Sequence, residues 1–206
     1  MNNFAIRIPE FGDVLKDNEV TPLLARSDFD LESMTRNFNY RSEYIRRCGF
    51  VLWTESMMQQ FKGVIRKNKW LEVMSGSGYL GTTMNKLHGT NIIMTDNHDE
   101  DWDKWHSDSV ENLNAVDAIE KYHKEIKGVI MSWPPYDTSD AYEVAKKCYE
   151  LNLPFIYIGE GAWGCTANDE FFEYTDERFE CEPILENTFK SFEGIHDMAY
   201  LYTPIK

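Results

Sequence analysis

The spacing of apolar residues changes near residue 70 and divides the chain into two parts. Between about Ser42 and Lys67, apolar residues recur every three or four positions, as they do in helices that bury one face. Gly49 interrupts this pattern and predicts a break between two helices. Residues 1–30 have no clear period and are predicted to form an irregular arm. The pattern therefore predicts an N-terminal arm and helical cap over residues 1–68.

From Trp70 onward, short apolar runs alternate with stretches of helical spacing. The runs predict strands at residues 70–74, 91–95, 109–113, 128–132, 153–159, 181–190 and 197–205. The stretches between them predict helices at residues 79–89, 116–126, 139–152 and 168–178. Because strands that alternate with helices favour parallel pairing, residues 69–206 are predicted to form an α/β domain with a mostly parallel sheet.

Composition narrows the class of protein further. Hydrophobic residues make up 42% and aromatic residues 14% of the 206 positions, which is too apolar for a disordered chain and sufficient for a core. No run approaches the roughly 20 apolar residues of a membrane-spanning helix. The N-terminus lacks the basic and apolar regions of a secretory signal. We therefore expect a cytoplasmic protein with no membrane partner.

The formal net charge of −14 is unevenly distributed. Residues 1–69 hold 11 lysines and arginines against 9 acids, whereas residues 70–206 hold 10 against 26. An acidic surface repels phosphate backbones, so nucleic acid is a poor candidate partner for the second part. The cations of the first part could contact an anion, although a solvated helix face is the simpler explanation for them. These cations include Arg36, Arg41, Arg46, Arg47, Lys62, Arg66, Lys67 and Lys69.

The segment LEVMSGSGYLG contains the sharpest functional pattern. A predicted strand ends at Met74, and Ser75, Gly76 and Gly78 lead from it into a predicted helix. Glycine lets the backbone approach a ligand closely, and the start of a helix offers unpaired N–H groups. About twenty residues later, Asp96 ends the next strand, where a carboxylate can accept hydrogen bonds from ribose hydroxyls. The pattern predicts a site for a nucleoside-containing ligand.

This turn resembles motif I of class I (Rossmann-like) S-adenosylmethionine-dependent methyltransferases, in which an acidic residue on the first strand precedes the glycines. Glu72 is that acidic residue, and its carboxylate suits a ligand with a cationic amino group better than a pyrophosphate. The resemblance implies S-adenosylmethionine as the cofactor. It also implies a seven-stranded sheet with helices on both faces and two antiparallel strands at one edge.

Two features of the turn leave alternatives open. Met74 stands where the methyltransferase motif has its first glycine, and its side chain could crowd the methionine end of the ligand. The spacing of Gly76, Gly78 and Gly81 also fits the dinucleotide fingerprint GxGxxG, with Asp96 at the expected distance. A purely structural strand–turn–helix is the third interpretation.

The resemblance extends to residues after the next two strands. Asn97 follows Asp96 and is implied to help hold the ribose. Asn114 and Ala115 take the place of the adenine-contacting residues of the family. A helix cap is an equally good interpretation of Asn114.

A second motif, Ser132-Trp133-Pro134-Pro135-Tyr136, follows the strand predicted at residues 128–132. Two prolines fix the backbone and remove two N–H donors, which leaves a rigid run of carbonyls beside an aromatic ring. Ligands of open α/β sheets bind at the carboxyl ends of strands, where this turn is predicted to lie.

The turn resembles motif IV of amino methyltransferases, a polar residue followed by Pro-Pro and an aromatic residue. The resemblance implies that Ser132, Pro134 and Tyr136 are catalytic and hold a target nitrogen, with Trp133 and Pro135 in contact with the substrate. Trp133 occupies the position of the polar residue, with Ser132 one residue early. Because an indole cannot accept a hydrogen bond from an amine, Ser132 must reach in, the nitrogen is held differently, or amine methylation has been lost.

Two further segments carry candidate chemistry. The glycine-rich stretch 159–166 follows the strand predicted at 153–159, and Glu160 in it could meet a cationic substrate. A lid and an ordinary loop are equal interpretations of this stretch. The four cysteines, Cys48, Cys148, Cys165 and Cys181, form no CxxC pair and are predicted to be reduced and mostly buried.

The acidic segment 97–106 has the aspartate spacing of the first half of a calcium loop. Its residues with ligand chemistry are His98, Asp99, Asp101, Asp103 and His106. The sixth position is Lys104 where glycine is required, and the twelfth is Val110 where glutamate is required. We expect a solvated acidic loop and no metal site.

The sequence as a whole favours a methyltransferase that acts on a nitrogen of a small molecule or protein. One alternative is a methyltransferase-fold protein that binds its ligand or a partner without catalysis, which Met74 and Trp133 favour. The other is an NAD-dependent oxidoreductase, which Glu72 and the lack of an evident second catalytic domain disfavour. Tyr44, Phe50 and Trp53 of the cap either close over the site or serve as packing.

Overall fold

The computed structural model describes residues 7–24, 31–98 and 106–206. Its centre is a sheet of seven strands: β1 (Lys69–Val73), β2 (Asn91–Asp96), β3 (Val110–Asn112), β4 (Gly128–Ser132), β5 (Phe155–Gly159), β6 (Phe179–Ile184) and β7 (Met198–Pro204). The strand order is β3-β2-β1-β4-β5-β7-β6. β1 to β5 are parallel, whereas β7 runs antiparallel to β5 and β6. The prediction of a mostly parallel seven-stranded sheet is confirmed.

Helices lie on both faces of this sheet. They are α1 (Asp17–Leu24), α2 (Leu31–Cys48), α3 (Glu55–Ile65), α4 (Tyr79–His88), α5 (Ala115–Tyr122), α6 (Asp140–Glu150) and α7 (Asp169–Arg178). The side chains of Thr54, Asn114 and Asn168 accept a backbone N–H in the first turns of α3, α5 and α7, as N-caps do. Gly89 ends α4 in the left-handed conformation with φ 61°, as its position in the sequence predicts.

The sheet separates two apolar cores. The first contains residues of α2, α3 and α4 and the β5 side chains of Ile156 and Ile158. The second contains residues of α5, α6 and α7 and the alternate β5 side chains of Phe155 and Tyr157. A strand buried on both faces has no polar alternation, which is why β4 and β5 are continuous apolar runs in the sequence. Cap helices and the sheet therefore share one core.

The N-terminal segment differs from the predicted irregular arm. Asp17–Leu24 form α1, and α2 begins at Leu31, well before the predicted start at residue 42. Leu15 and Val20 are fully buried in the first core, and Leu15 bridges to Thr54. Eight residues that include Pro22 are too few to reveal a helical period in the sequence, so the tertiary contacts decide this element.

Two further boundaries differ: α5 ends at Tyr122, four residues before its predicted end, and β6 ends at Ile184, six residues before the predicted end at residue 190. The other strands and helices from β1 onward agree with the sequence to within two residues. In the described parts of the chain, no helix combines the length and apolarity needed to cross a membrane. All four cysteines are free, with Cys48 and Cys148 buried and Cys165 and Cys181 exposed.

Candidate cofactor and substrate site

The carboxyl ends of β1, β2, β4 and β5 meet at one edge of the sheet, because these strands are parallel neighbours. The chain order reverses between β1 and β4, and the crevice outside such a switch point is where open α/β sheets bind ligands. The predicted site residues after these four strands therefore share one edge. They comprise Glu72 to Gly78, Asp96 and Asn97, Ser132 to Tyr136, and Glu160.

The turn after β1 has a left-handed backbone at three alternate residues. The φ angles are 51° at Met74, 53° at Gly76 and 72° at Gly78. Gly78 also has no room for a side chain, since a Cβ atom there would lie 2.3 Å from Val110 Cγ2. Beside Gly76, a Cβ atom would meet no atom within 4 Å. The turn is therefore packed at Gly78 and open at Gly76, which leaves space for a ligand against the backbone of Gly76.

Met74 adopts a conformation that glycine adopts at little cost. A non-glycine residue at positive φ costs about 1 kcal/mol or more, which gives a physical reason for a glycine at this place in the related motif. The Met74 side chain is half-buried and packs against the second core. Burial of this side chain offsets the backbone strain.

Glu72 lies beneath the turn and is only 3% exposed. Its Oε2 accepts a hydrogen bond from the N–H of Gly81 at 3.0 Å. A Cβ atom at Gly81 would lie 2.7 Å from that oxygen, so glycine is required for this close approach. Burial raises the pKa of Glu72 to about 8, against the smaller opposing effect of the Gly81 hydrogen bond. The carboxyl group is therefore largely protonated at neutral pH.

Asp96 connects the end of β2 to the glycine turn. Its Oδ2 accepts the N–H of Gly76 at 2.8 Å, and its Oδ1 accepts the N–H of His98 at 2.9 Å. A carboxylate has about four acceptor positions, so two remain for a ligand. Asn97 beside it is exposed. The carboxylate holds the turn in place and retains the capacity to accept hydroxyl groups.

Ser75 contributes an unexpected feature of the turn. Its hydroxyl oxygen is buried and has no hydrogen-bond partner among the described residues. Its backbone N–H donates to Thr95 O at 3.1 Å, so only the hydroxyl is left over. A buried polar atom without a partner costs about 1–3 kcal/mol, and a ligand that hydrogen-bonds to it would remove this cost.

Asn114 and Ala115 have structural roles at the start of α5. The Asn114 side-chain oxygen accepts the N–H of Asp117 at 2.9 Å, which is the helix cap that the sequence allowed. Ala115 is buried at the edge of the second core. The side chain of Asn114 is thus engaged by the helix.

The turn after β4 also begins with a bulky residue in the left-handed conformation. Trp133 has φ 51°, and its N–H donates to Ile158 O at 2.7 Å. Its indole ring stacks on Phe50 of the cap, with ring centroids 4.8 Å apart and planes 9° apart. The indole N–H donates to Asp197 Oδ2 at 3.0 Å. The availability of Trp133 to a substrate therefore depends on this contact with the cap.

Asp197 was not indicated by the sequence. It precedes β7, whose first residue pairs with Gly159, so it lies at the same edge as the other site residues. Its side chain is 3% exposed, and its Oδ1 has no partner among the described residues. Burial raises the pKa of this carboxyl group, while the hydrogen bond from Trp133 lowers it. Only an alignment of homologues or a structure can reveal an isolated aspartate of this kind.

The remaining residues of the Pro-Pro turn differ in how far they are held by the protein. Pro134 O accepts the N–H of Ala167 at 3.0 Å, which joins this turn to the loop after β5. Ser132 is half-buried at the end of β4, and the Tyr136 ring is 61% exposed. Pro135 is half-buried between them. Tyr136 is therefore free to contact a molecule that approaches the edge from solvent.

Glu160 stabilises its own loop. Its carboxylate accepts the N–H of Cys165 at 2.8 Å and that of His196 at 3.1 Å. These backbone hydrogen bonds, Cys165 first, lower the pKa of Glu160. In the same loop the Trp163 side chain is 93% exposed. The carboxylate is thus engaged in folding the glycine-rich loop, while the aromatic residue at its tip faces solvent.

The cap contacts both turns of the site. Ser77 Oγ donates to Arg47 O at 2.9 Å, and Phe50 stacks on Trp133. Tyr44 and Trp53 are fully buried, and the Tyr44 hydroxyl accepts the N–H of Trp53. Tyr44 and Trp53 are packing residues, and Phe50 is the aromatic residue of the cap that reaches the site.

The acidic loop is described only at its two ends. His98 and His106 face each other with ring centroids 4.4 Å apart. Asp99, Asp101 and Asp103 lie outside the described residues. No group of three or more metal-ligating side chains occurs in the described ranges.

Comparison with known proteins places the fold. No protein-family model matches the sequence, and no curated protein does. The structure is similar to that of a point mutant of MtNAS in complex with S-adenosylmethionine. The TM-score is 0.53 and the sequence identity is 10%, and the alignment covers 88% of this chain and 68% of the other. It is also similar to a TehB-like SAM-dependent methyltransferase from Corynebacterium glutamicum, with a TM-score of 0.52 and 13% sequence identity. That alignment covers 84% of this chain and 100% of the other.

A second structure of MtNAS, in complex with MTA and tNA, has a TM-score of 0.51 and 10% identity. The alignment covers 87% of this chain, which spans 66% of the length of that protein. At such low identity, similarity defines the fold and nothing more. The protein has the class I, Rossmann-like fold of S-adenosylmethionine-dependent methyltransferases.

Proposed function

We propose that this protein is an S-adenosylmethionine-dependent methyltransferase that acts on a nitrogen of a small molecule or protein. The observation that carries the proposal is the turn after β1. It combines open space beside Gly76, a buried Ser75 hydroxyl without a partner, and Asp96 holding the backbone from the next strand. Each of these is a feature that a bound nucleoside ligand would use.

The residues of the turn fit the cofactor. The Gly76 backbone would face the ligand, Ser75 would hydrogen-bond to it, and Asp96 with Asn97 would hold the ribose hydroxyls through the remaining acceptor positions. Glu72 would act from beneath the turn on the cationic end of the ligand, because a positive charge nearby favours the ionised carboxyl group. When bound, the cofactor supplies a methyl group on a positively charged sulfur.

The nitrogen acceptor would lie at the turn after β4. Because an indole cannot accept a hydrogen bond, those of an amine would fall to the Ser132 hydroxyl and to the second lone pair of the Pro134 carbonyl, which already accepts the N–H of Ala167. Tyr136 would stack on a planar acceptor, with Trp133 and Pro135 forming the adjoining wall. Direct transfer of a methyl group requires alignment and exclusion of water more than a strong base. This turn and its rigid backbone would provide the alignment.

A ligand-binding protein without catalysis is the second candidate. The stacking of Trp133 on Phe50 favours it, because the cap then occupies one face of the residue that replaces the usual polar group. Both candidates use the turn after β1 in the same way, so cofactor binding and methyl transfer must be measured separately. An NAD-dependent oxidoreductase would bind a different ligand at that turn.

The first test is thermal unfolding with S-adenosylmethionine, S-adenosylhomocysteine, NAD and no ligand. A ligand at about 100 times its Kd adds roughly 2.7 kcal/mol, which raises Tm by several degrees. We expect this shift with the two S-adenosyl ligands and none with NAD. A shift with NAD alone would replace the proposal by the oxidoreductase, and no shift with any ligand would contradict cofactor binding.

Two variants locate the ligand. Asp96→Asn weakens the acceptor capacity at the end of β2 while it preserves the size of the side chain, so the shift should largely disappear. Asp176→Asn is the matched control and should leave the shift unchanged, since Asp176 is exposed in the last turn of α7, at the end of that helix that leads into β6. An unchanged shift in Asp96→Asn would contradict the ribose assignment. Transfer of isotope-labelled methyl groups to added amines then separates the enzyme from the binding protein.

A further inference from the structure

A cavity of about 470 Å³ lies where α3 and α4 end. Its lining residues are Lys62, Arg66, Lys67, His88, Gly89 and Thr90. α3 leads into β1 and α4 leads into β2, so the cavity lies toward the amino ends of these strands. It is therefore at the opposite edge of the sheet from the proposed cofactor site and belongs to a different part of the molecule.

The lining combines three cations with an imidazole and has no carboxylate. This composition is unusual for a chain whose net charge is −14. Among the described residues, Lys62, Arg66 and Lys67 form no ion pair, whereas the next cation, Lys69, pairs with Glu125 Oε2 at 2.8 Å. Among the described residues, no acid therefore neutralises these three cations in an ion pair.

The negative partial charges at the ends of α3 and α4 offset part of the positive charge of these residues. Lys62 and His88 lie in the last turns of α3 and α4, where cations are favourable because each helix end carries about half a negative charge. Two helix ends offset about one of the three cations. An excess of about two positive charges remains around the cavity.

The positive charge around the cavity also affects the pKa of His88. Burial lowers its pKa most, and the charge of Lys62 lowers it further. Both effects disfavour the imidazolium form. A bound anion would counter the effect of Lys62, so the protonation of His88 reports directly on the occupancy of the cavity.

We propose that this cavity binds a small anion with a doubly charged phosphate group. Arg66 offers a planar guanidinium that fits two phosphate oxygens, and Lys62 and Lys67 offer compact charges. The Arg66 backbone is fixed in the cavity lining, because its N–H donates to Lys62 O at the end of α3. The volume exceeds that of a single phosphate, so a phosphate ester of a small molecule fits as well as the free ion.

The proposal is tested by NMR titration of the full-length protein, observing the imidazole Cε1 protons between pH 5 and 8. Phosphate, pyrophosphate and sulfate are the probes, and sodium chloride at equal ionic strength is the reference; the His88 signal is assigned by its loss in His88→Gln. We expect a saturable shift and a raised His88 pKa with the polyvalent anions. His123, which is half-buried directly after α5 with its Nδ1 2.8 Å from Glu120 O, serves as the internal control and should not respond.

Variants distinguish a site from general screening. Lys62→Gln and Lys67→Gln should each weaken anion binding by about tenfold, because each variant loses one charge-assisted hydrogen bond to the anion. Lys124→Gln changes an exposed lysine after α5 and should have no effect. Equal shifts at His88 and His123, or unchanged affinity in both variants, would overturn the proposal. Circular dichroism of each variant verifies its fold, and the response to S-adenosyl ligands should remain unchanged throughout.

Discussion

The turns after β1 and β4 begin alike and end differently. Each has a bulky residue directly after the strand, Met74 or Trp133, and both residues have φ 51°. Met74 packs its side chain against the second core, whereas Trp133 is clamped between Phe50 and Asp197. The same backbone strain is thus offset by burial in one turn and by contacts with the cap in the other.

This difference determines what each turn offers to a ligand. With Met74 directed into the core, the backbone at Gly76 is open and the Ser75 hydroxyl is unpaired. With Trp133 held by the cap, access to the second turn is left to the exposed ring of Tyr136 and to Ser132 at the strand end. The first turn thus has an open backbone and an unpaired hydroxyl, whereas access to the second depends on the position of the cap.

The largest expected loss of stability is that of Trp133→Ala. Loss of the stacked ring and of the indole hydrogen bond to Asp197 Oδ2 should lower the free energy of unfolding by about 3 kcal/mol. Urea denaturation of the variant measures this change. Trp133→Gly serves as the comparison, because relief of the positive φ should recover about 1 kcal/mol. Equal stability of the wild type and Trp133→Ala would show that the clamp contributes nothing.

The pH dependence of stability should be dominated at the first turn by Glu72. Its pKa is about 8 in the folded protein against 4.5 in the unfolded chain, so between these values the folded state binds more protons. The free energy of unfolding therefore falls as pH rises through this window, by at most about 1.4 kcal/mol per pH unit from this group.

Glu72→Gln isolates that contribution. Glutamine keeps an oxygen for the N–H of Gly81 and cannot ionise, so the variant should lose the decline between pH 4.5 and 8 and be more stable than the wild type at pH 8. Denaturant titrations at several pH values provide the measurement. A wild-type slope that persists in Glu72→Gln would assign the titration to other groups, of which Asp197, with its raised pKa, is the foremost.

The smallest effect is expected for Met74→Gly. Relief of the positive φ, about 1 kcal/mol, opposes the loss of a half-buried side chain, so stability should change little. Because the side chain packs against the core, affinity for S-adenosylhomocysteine should remain within about twofold of the wild type. Isothermal titration calorimetry checks this. A large gain in affinity would mean that Met74 crowds the ligand, as the sequence alone suggests.

That the candidate site residues after the parallel strands lie at one edge of the sheet could be predicted, because strong local patterns precede them. The glycine turn, Asp96 and the Pro-Pro turn each follow an apolar run, and parallel pairing brings the ends of those runs together. The helix cap at Asn114 was one of two interpretations that the sequence allowed, because its partner Asp117 is close in sequence. The hydrogen bond between Glu160 and the N–H of His196 could not be predicted, because these residues are distant in sequence.

The sequence by itself determined the α/β class and the run of strands and helices from β1 to β7, because strands buried on both faces are continuous apolar runs. It also determined which turns lie at the ligand edge. Only the tertiary structure decided that α1 exists, that Asp197 holds Trp133, and that cations from α3 meet His88 at the end of α4. These features depend on contacts between distant segments, and single residues without a periodic pattern do not reveal their partners.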